Sequence, residues 1–126
     1  MEKEIIKTEN APAPIGPYSQ AVAYGNLMFV SGQIAINPEN GQLVTGSIKE
    51  ETHQVMKNIG NILKEAGLGM EHILKTSIFL KNMDDFAAVN EVYGSCFTKN
   101  FPARETVQVA RLPKDVNVEI SVIVGR

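Results

Sequence analysis

Apolar and polar residues alternate along several segments of the chain, a pattern typical of β-strands with one buried face. Alternation is strongest near the end, where valine or isoleucine occupies every second position from 116 to 124. In another strand, over 72–82, the pattern favours a buried face formed by Leu74, Ile78 and Leu80. Further strands are predicted at residues 4–7, 18–24, 27–34 and 104–112.

The dipeptide Gly25-Asn26 lies between two apolar-rich runs and predicts a two-residue β-hairpin. That register puts Val22 opposite Phe29, and paired side chains share one face of a sheet. If the same register continues toward the open end of the hairpin, a polar patch is expected on the same face, formed by Tyr18, Gln20, Ser31 and Gln33.

Two segments repeat apolar residues at the helical spacing of three or four positions. The first begins at Ser47, which forms an S-x-x-E capping box with Glu50, and ends at Gly67. The second runs from about Asp84 to Phe97. Its apolar stripe consists of Phe86, Val89, Tyr93 and Phe97, and Asn90 falls inside it.

The predicted order is three strands, a helix, a strand, a helix and two strands. Two helices are too few to cover both faces of so wide a sheet, so we expect an α+β fold with one mixed sheet and both helices on one face. The length suits one core, and residues 1–126 are predicted to form a single domain. The uncovered face of the sheet predicts a homo-oligomer.

Charge and composition narrow the classes of partner. The formal net charge is −2 at pH 7 and no basic cluster is present, which disfavours binding of nucleic acid. Cys96 is the single cysteine, so an internal disulfide is not possible. The sequence lacks the patterns of a signal peptide and of a membrane span, and we expect a soluble, cytoplasmic protein without a membrane partner.

The sequence contains no complete motif for a metal site, a nucleotide site or a hydrolase nucleophile. The chain has two histidines, and Glu50-x-x-His53 is half of a di-iron motif without its second copy. There is no P-loop and no G-x-S-x-G nucleophile elbow.

Four polar residues have both a structural and a functional interpretation. Arg104 is either half of a surface ion pair, which composition alone favours, or an anchor whose planar guanidinium binds a carboxylate. Glu119 is either a solvent-facing carboxylate or a buried acid that orients water. Tyr18 and Ser31 are either packing residues or hydrogen-bond donors in a cleft.

Longer strings of the sequence resemble the RidA (reactive intermediate/imine deaminase) family, and the resemblance extends from about Ile5 to the C-terminus. It implies a chorismate-mutase-like subunit and a homotrimer whose sheets line a central barrel, with a cleft at each subunit interface. It also implies hydrolysis of enamines and imines, such as 2-iminobutanoate and 2-iminopropanoate, to 2-oxo acids and ammonia without a cofactor. The strings are APAPIGPYSQAV at 11–22, VSGQI at 30–34, VNEVY at 89–93, FPARETVQVARLPKD at 101–115 and VEI at 118–120.

The resemblance also implies roles for single residues. Arg104 matches the arginine that binds the substrate carboxylate, and Glu119 matches the acid that positions or activates water. The residues that match others beside the substrate are Tyr18, Ser31, Asn90 and, through its backbone, Gly32.

The sequence departs from the family pattern two residues after the arginine, where many members have a cysteine and this chain has Thr106. Thr106 has the same strand parity as Arg104 and is expected to face the same cleft. Glu105 is expected to point to the other face of the sheet.

Two other classes of function stay open. One is a non-enzymatic regulator that binds small carboxylates in the same cleft. The other, an endoribonuclease or translation inhibitor, is disfavoured by the acidic pI of about 5.7 and the lack of a lysine and arginine cluster.

Overall fold

A computed structural model describes residues 2–126 as one six-stranded sheet with two helices. The sheet order is β1-β2-β3-β6-β4-β5; β4 and β5 are parallel and the other neighbours antiparallel, so the sheet is mixed as predicted. The elements are β1 (Glu4–Ile6), β2 (Ala21–Tyr24), β3 (Leu27–Gln33), α1 (Ile48–Glu65), β4 (Ile73–Leu80), α2 (Phe86–Ser95), β5 (Ala103–Gln108) and β6 (Val118–Gly125).

The core lies between the two helices and one face of this sheet. Along β6 the residues Val118, Ile120, Val122 and Val124 are buried, and the residues between them are only partly covered. The four buried residues of β6 belong to one core cluster with the apolar stripe of α1 and with Val89 and Tyr93 of α2. The predicted packing of two helices on a single sheet is confirmed.

The hairpin register is confirmed within the strands, where Val22 pairs with Phe29 and Tyr24 with Leu27. The predicted sheet face of Gln33 is wrong, although Gln33 still lines one pocket together with Tyr18, Gln20 and Ser31. An irregularity between Val30 and Gln33 places Gln33 opposite Ile120, a buried residue, so its side chain leaves the face occupied by Phe29. A β-bulge reverses the alternation of all residues beyond it, which explains the error.

A second irregularity corrects the predicted buried face of β4. Between Ile73 and Lys75 the register with β6 shifts, so that one extra residue, Leu74, stands in β4. Leu74 is 51% exposed, whereas Ile73 is 4% exposed and part of the core. Ile78 and Leu80 are buried as predicted.

Helix α1 starts at the predicted cap, where the Ser47 hydroxyl accepts a hydrogen bond from the Glu50 backbone amide. Its buried polar residues hold neighbouring segments. Glu51 accepts hydrogen bonds from the backbone and side-chain amides of Asn117 at 2.8 Å, just before β6. Asn58 donates to the carbonyl oxygens of Ile34 and Ile36.

The sheet face opposite the helices carries large exposed apolar side chains. Alternation and pairing place Phe29 beside Ile123 on this face, and Phe29 is 45% exposed. Ile5, Tyr24, Leu27 and Val107 are also exposed. Neither helix within residues 2–126 combines the length and apolar character that crossing a bilayer requires.

The corrected register of β4 predicts unequal effects of two neighbouring substitutions. Ile73→Ala should lower the free energy of unfolding by about 2–4 kcal/mol because it leaves a cavity in the core. Leu74→Ala, the matched control, should cost less than about 1 kcal/mol because the side chain is exposed. Equilibrium urea unfolding measures both, and equal losses would contradict the bulge.

Candidate functional site

A pocket of about 330 Å³ lies where the open end of the β2–β3 hairpin meets β6. The polar part of its lining includes Ser31, Gly32 and Glu119. The apolar part consists mostly of prolines and isoleucines from the loops: Pro12, Ile15, Ile34, Ile36 and Pro113. We call this pocket the carboxylate pocket, after Glu119.

Glu119 lies against Gly32 because glycine has no side chain there. A Cβ atom on residue 32 would be 2.6 Å from Glu119 Oε2 and 2.8 Å from its carboxyl carbon. Within residues 2–126 the carboxylate has no ion-pair partner. Burial raises the pKa of Glu119 above its ordinary value. A half-buried, unpaired carboxylate of this kind is suited to accepting a proton from water.

Tyr18 and Ser31 both border the carboxylate pocket, as predicted for neighbours at the open end of the hairpin. Tyr18 is 48% exposed, and its hydroxyl accepts a hydrogen bond from the Ile15 amide at 3.3 Å, which leaves its proton available. The Ser31 hydroxyl donates to the Ser19 carbonyl oxygen.

Gln20 lines the same pocket but has a structural task. It is 3% exposed, and its side-chain oxygen accepts a hydrogen bond from the Thr8 backbone amide. Its side-chain nitrogen lies within hydrogen-bond distance of the carbonyl oxygens of Thr8, Ala11 and Pro12, in the loop after β1. These contacts fix the loop that forms one wall of the carboxylate pocket.

Arg104 lies in a second pocket of about 310 Å³, between β5 and α2. Its Nη1 donates a hydrogen bond to Asn90 Oδ1 at 2.5 Å. The guanidinium carbon is 5.5 Å from the centre of the Phe86 ring and 5.3 Å from that of Tyr93. We call this the guanidinium pocket; Gly94, Phe101 and Pro102 complete its lining.

No carboxylate in the described part of the chain pairs with Arg104. The nearest acid in sequence, Glu105, points to the opposite face as predicted, where it forms an ion pair with Lys75 at 3.1 Å and a hydrogen bond with Ser77. These two contacts lower the pKa of Glu105, the hydrogen bond with Ser77 having the larger effect. The positive charge of Arg104 is therefore left available for an anion.

Thr106 follows Arg104 on the same side of β5 and pairs with Ile78 of β4, a core residue. Its hydroxyl oxygen is buried, and within residues 2–126 no hydrogen-bond partner reaches it. Such a group is uncommon in folded proteins.

One chain does not bring the two charged residues together. Arg104 pairs across the sheet with Thr76, which packs in the core on the helix side, whereas Glu119 lies on the opposite face beside Phe79. The two pockets are therefore separate from each other within one chain. Among residues 2–126 no cluster of three potential metal ligands occurs.

The pattern of residues did not identify the aromatic neighbours of Arg104. Phe86 and Tyr93 belong to the apolar stripe of α2, which is normally interpreted as core. Their spacing around Asn90, four residues before it and three after, puts all three on one helix face. That combination of an amide and two aromatic rings was the available signal.

Comparison with known proteins decides the family. A family model described as Endoribonuclease L-PSP matches residues 8–125. A human protein named 2-iminobutanoate/2-iminopropanoate deaminase is 46% identical over 121 residues, 96% of this chain and 88% of that protein. This chain belongs to the L-PSP family, which includes the RidA deaminases.

Other members of the RidA group carry different names. A Lactococcus lactis protein that carries the name "Putative regulator AldR" is 52% identical over 120 residues, 95% of each chain. The crystal structure of TdcF from E. coli with bound serine has a TM-score of 0.94 and 40% identity, with 98% of each chain covered. The fold of this RidA-type chain therefore agrees with experimentally solved relatives, while the names span an enzyme and a regulator.

Because Glu119 is partly buried, replacing its carboxylate with a neutral amide is expected to stabilise the fold, by an amount that depends on pH. Because its pKa is raised in the folded state, the ionised carboxylate costs stability as pH rises through the ordinary carboxyl range and above it. Glu119→Gln should therefore raise the melting temperature at pH 7. The gain should shrink as pH falls to about 3, where the carboxyl group is protonated in both the folded and the unfolded state. Calorimetry at the two pH values measures it, and a lower melting temperature for the variant at pH 7 would contradict the assignment.

Proposed function

We propose that this protein hydrolyses 2-imino acids, such as 2-iminobutanoate and 2-iminopropanoate, to 2-oxo acids and ammonia. The observation that carries the proposal is the unneutralised, partly buried guanidinium of Arg104 at an open pocket. The name of the human relative and the amino acid bound to the E. coli relative agree with a small ligand that carries a carboxylate.

A homotrimer supplies the complete site in this proposal. Two half-sites on opposite faces of one sheet form a single cleft when the guanidinium pocket of one subunit meets the carboxylate pocket of the next. The exposed apolar face around Phe29 supports such an assembly, because monomers rarely leave large apolar patches in water.

Arg104 holds the substrate carboxylate. Asn90 Oδ1 accepts a hydrogen bond from Nη1 of Arg104. No other residue within 2–126 binds the guanidinium N–H groups, which can therefore donate to the two carboxylate oxygens. Thr106, with its unsatisfied hydroxyl, lies next in line on the same side of β5. Fixing the carboxylate also fixes the adjacent C=N carbon relative to the facing subunit. This positioning lowers the entropic cost of bringing that carbon and the attacking water together.

Glu119 activates the water in the facing carboxylate pocket. The substrate imine is protonated, and a water adds to its carbon as Glu119 accepts a proton from that water. Glu119 passes that proton to nitrogen and is ionised again. The C–N bond then breaks with its electrons going to ammonia, while the hydroxyl loses its proton to Glu119 and the C=O bond of the 2-oxo acid forms. Tyr18, Ser31 and the Gly32 backbone hold the substrate and the water. An iminium carbon is electrophilic by itself, so this route needs only groups of the protein.

The first test is hydrolysis of 2-iminobutanoate generated in situ by a threonine dehydratase, with the remaining imine trapped by semicarbazide. Wild type should lower semicarbazone formation, and Arg104→Ala should reduce that effect at least about 100-fold because it removes the carboxylate anchor. Arg111→Ala, which removes an exposed arginine, is the matched control and should retain the wild-type rate. A well-folded wild type without effect would contradict the deaminase proposal.

The regulator named AldR keeps a second candidate function open, a non-enzymatic receptor for small carboxylates. Glu119→Gln separates the two functions. For an enzyme, it should abolish turnover and preserve binding of 2-oxobutanoate. A receptor would bind 2-oxobutanoate and show no turnover even as wild type.

A further inference from the structure

The aromatic residue beneath Arg104 is fixed at both ends. Tyr93 is 4% exposed, its backbone belongs to α2, and its hydroxyl donates a hydrogen bond to the Thr76 hydroxyl at 2.8 Å. Thr76 is fully buried in β4 and stands directly opposite Arg104 in the parallel β4–β5 pair. The ring of Tyr93 is therefore held in register with the strand position that carries the arginine.

The contacts around the guanidinium orient it without neutralising it. Two rings, Phe86 and Tyr93, and one neutral amide, Asn90, surround it at the distances given above. Aromatic faces attract a cation through their quadrupole, more strongly when the cation is partly desolvated. Unlike an acidic partner, they occupy neither the positive charge nor the N–H edges that a ligand carboxylate needs.

A role for Tyr93 as a proton donor to substrate does not fit these contacts. Its hydroxyl proton is directed to Thr76, away from the open pocket. Burial raises the pKa of Tyr93, with the Thr76 hydrogen bond and the Arg104 charge opposing the shift, so the hydroxyl stays protonated at neutral pH. Its hydrogen bond then serves to fix the ring.

We propose that Tyr93, locked by Thr76, is a positioning residue that acts with Phe86 to hold the Arg104 guanidinium charged and oriented toward a ligand carboxylate. This inference rests on the proposed function of Arg104 as a carboxylate anchor. It assigns Tyr93 no contact with the reacting atoms.

A double-mutant cycle with 2-oxobutanoate as the probe tests the inference. Calorimetric titration compares Tyr93→Leu, Arg104→Ala and the double variant with wild type. Tyr93→Leu by itself should raise the Kd for 2-oxobutanoate about tenfold, because it removes the ring beneath the cation. In the Arg104→Ala background it should cause almost no further loss, since its effect passes through the arginine.

Steady-state kinetics provide a second reading that a general loss of structure would not produce. Tyr93→Leu should raise KM for the imine more than it lowers kcat, because Arg104 binds the carboxylate in the ground state as well as in the transition state. Tyr93→Phe keeps the ring but loses the hydrogen bond that fixes it, so it should weaken binding about threefold, less than Tyr93→Leu. Thr76→Val, which removes the hydrogen-bond acceptor, should match Tyr93→Phe.

The outcomes separate this inference from the proposed function. Equal losses of affinity from Tyr93→Leu with and without Arg104 would overturn the positioning role, while wild-type binding and turnover would leave the deaminase proposal intact. Wild type that neither binds 2-oxobutanoate nor hydrolyses the imine would overturn both. If Tyr93→Leu does not fold, Tyr93→Phe and Thr76→Val carry the same cycle with Arg104→Ala, and additive losses would again overturn the role.

Discussion

Successive side chains of a strand point to opposite faces of a sheet, and this alternation decides which face Arg104 and Glu119 each occupy. It directs Arg104 toward α2 and Glu119 toward the face without helices. The bulge before Gln33 and the absence of a side chain at Gly32 then allow Glu119 to lie beside the hairpin. Neither half-site contains the groups that the other provides, so the proposed chemistry needs two copies of the chain.

Each half-site also keeps its charge unpaired. Glu119 has no cationic partner within residues 2–126, and the acid next to Arg104 in sequence is bound by Lys75 and Ser77 on the far face. Unpaired, partly buried charges reduce the stability of a chain, and they persist where a ligand or a partner completes them. A substrate that is anionic at its carboxylate and cationic at its protonated imine complements this pair.

Local signals allowed much of the fold to be predicted. Gly25-Asn26 specified the hairpin, Ser47 and Glu50 specified the start of α1, and alternation specified β6. The two bulges escaped prediction because a bulge depends on the partner strand, which no local pattern describes. The surroundings of Arg104 escaped for a related reason. An aromatic stripe on a helix has the same spacing whether it packs a core or supports a cation, and only the fold places β5 beneath α2.

Subunit complementation tests most directly whether one cleft takes Arg104 from one chain and Glu119 from the next. Arg104→Ala and Glu119→Gln, each inactive alone, are unfolded together in equal amounts, refolded, and assayed for 2-iminobutanoate hydrolysis. Random assembly of the proposed trimers should restore about a quarter of the wild-type activity, because that share of clefts receives both intact residues from different chains. If the refolded mixture is no more active than the two variants kept apart, the shared cleft is wrong.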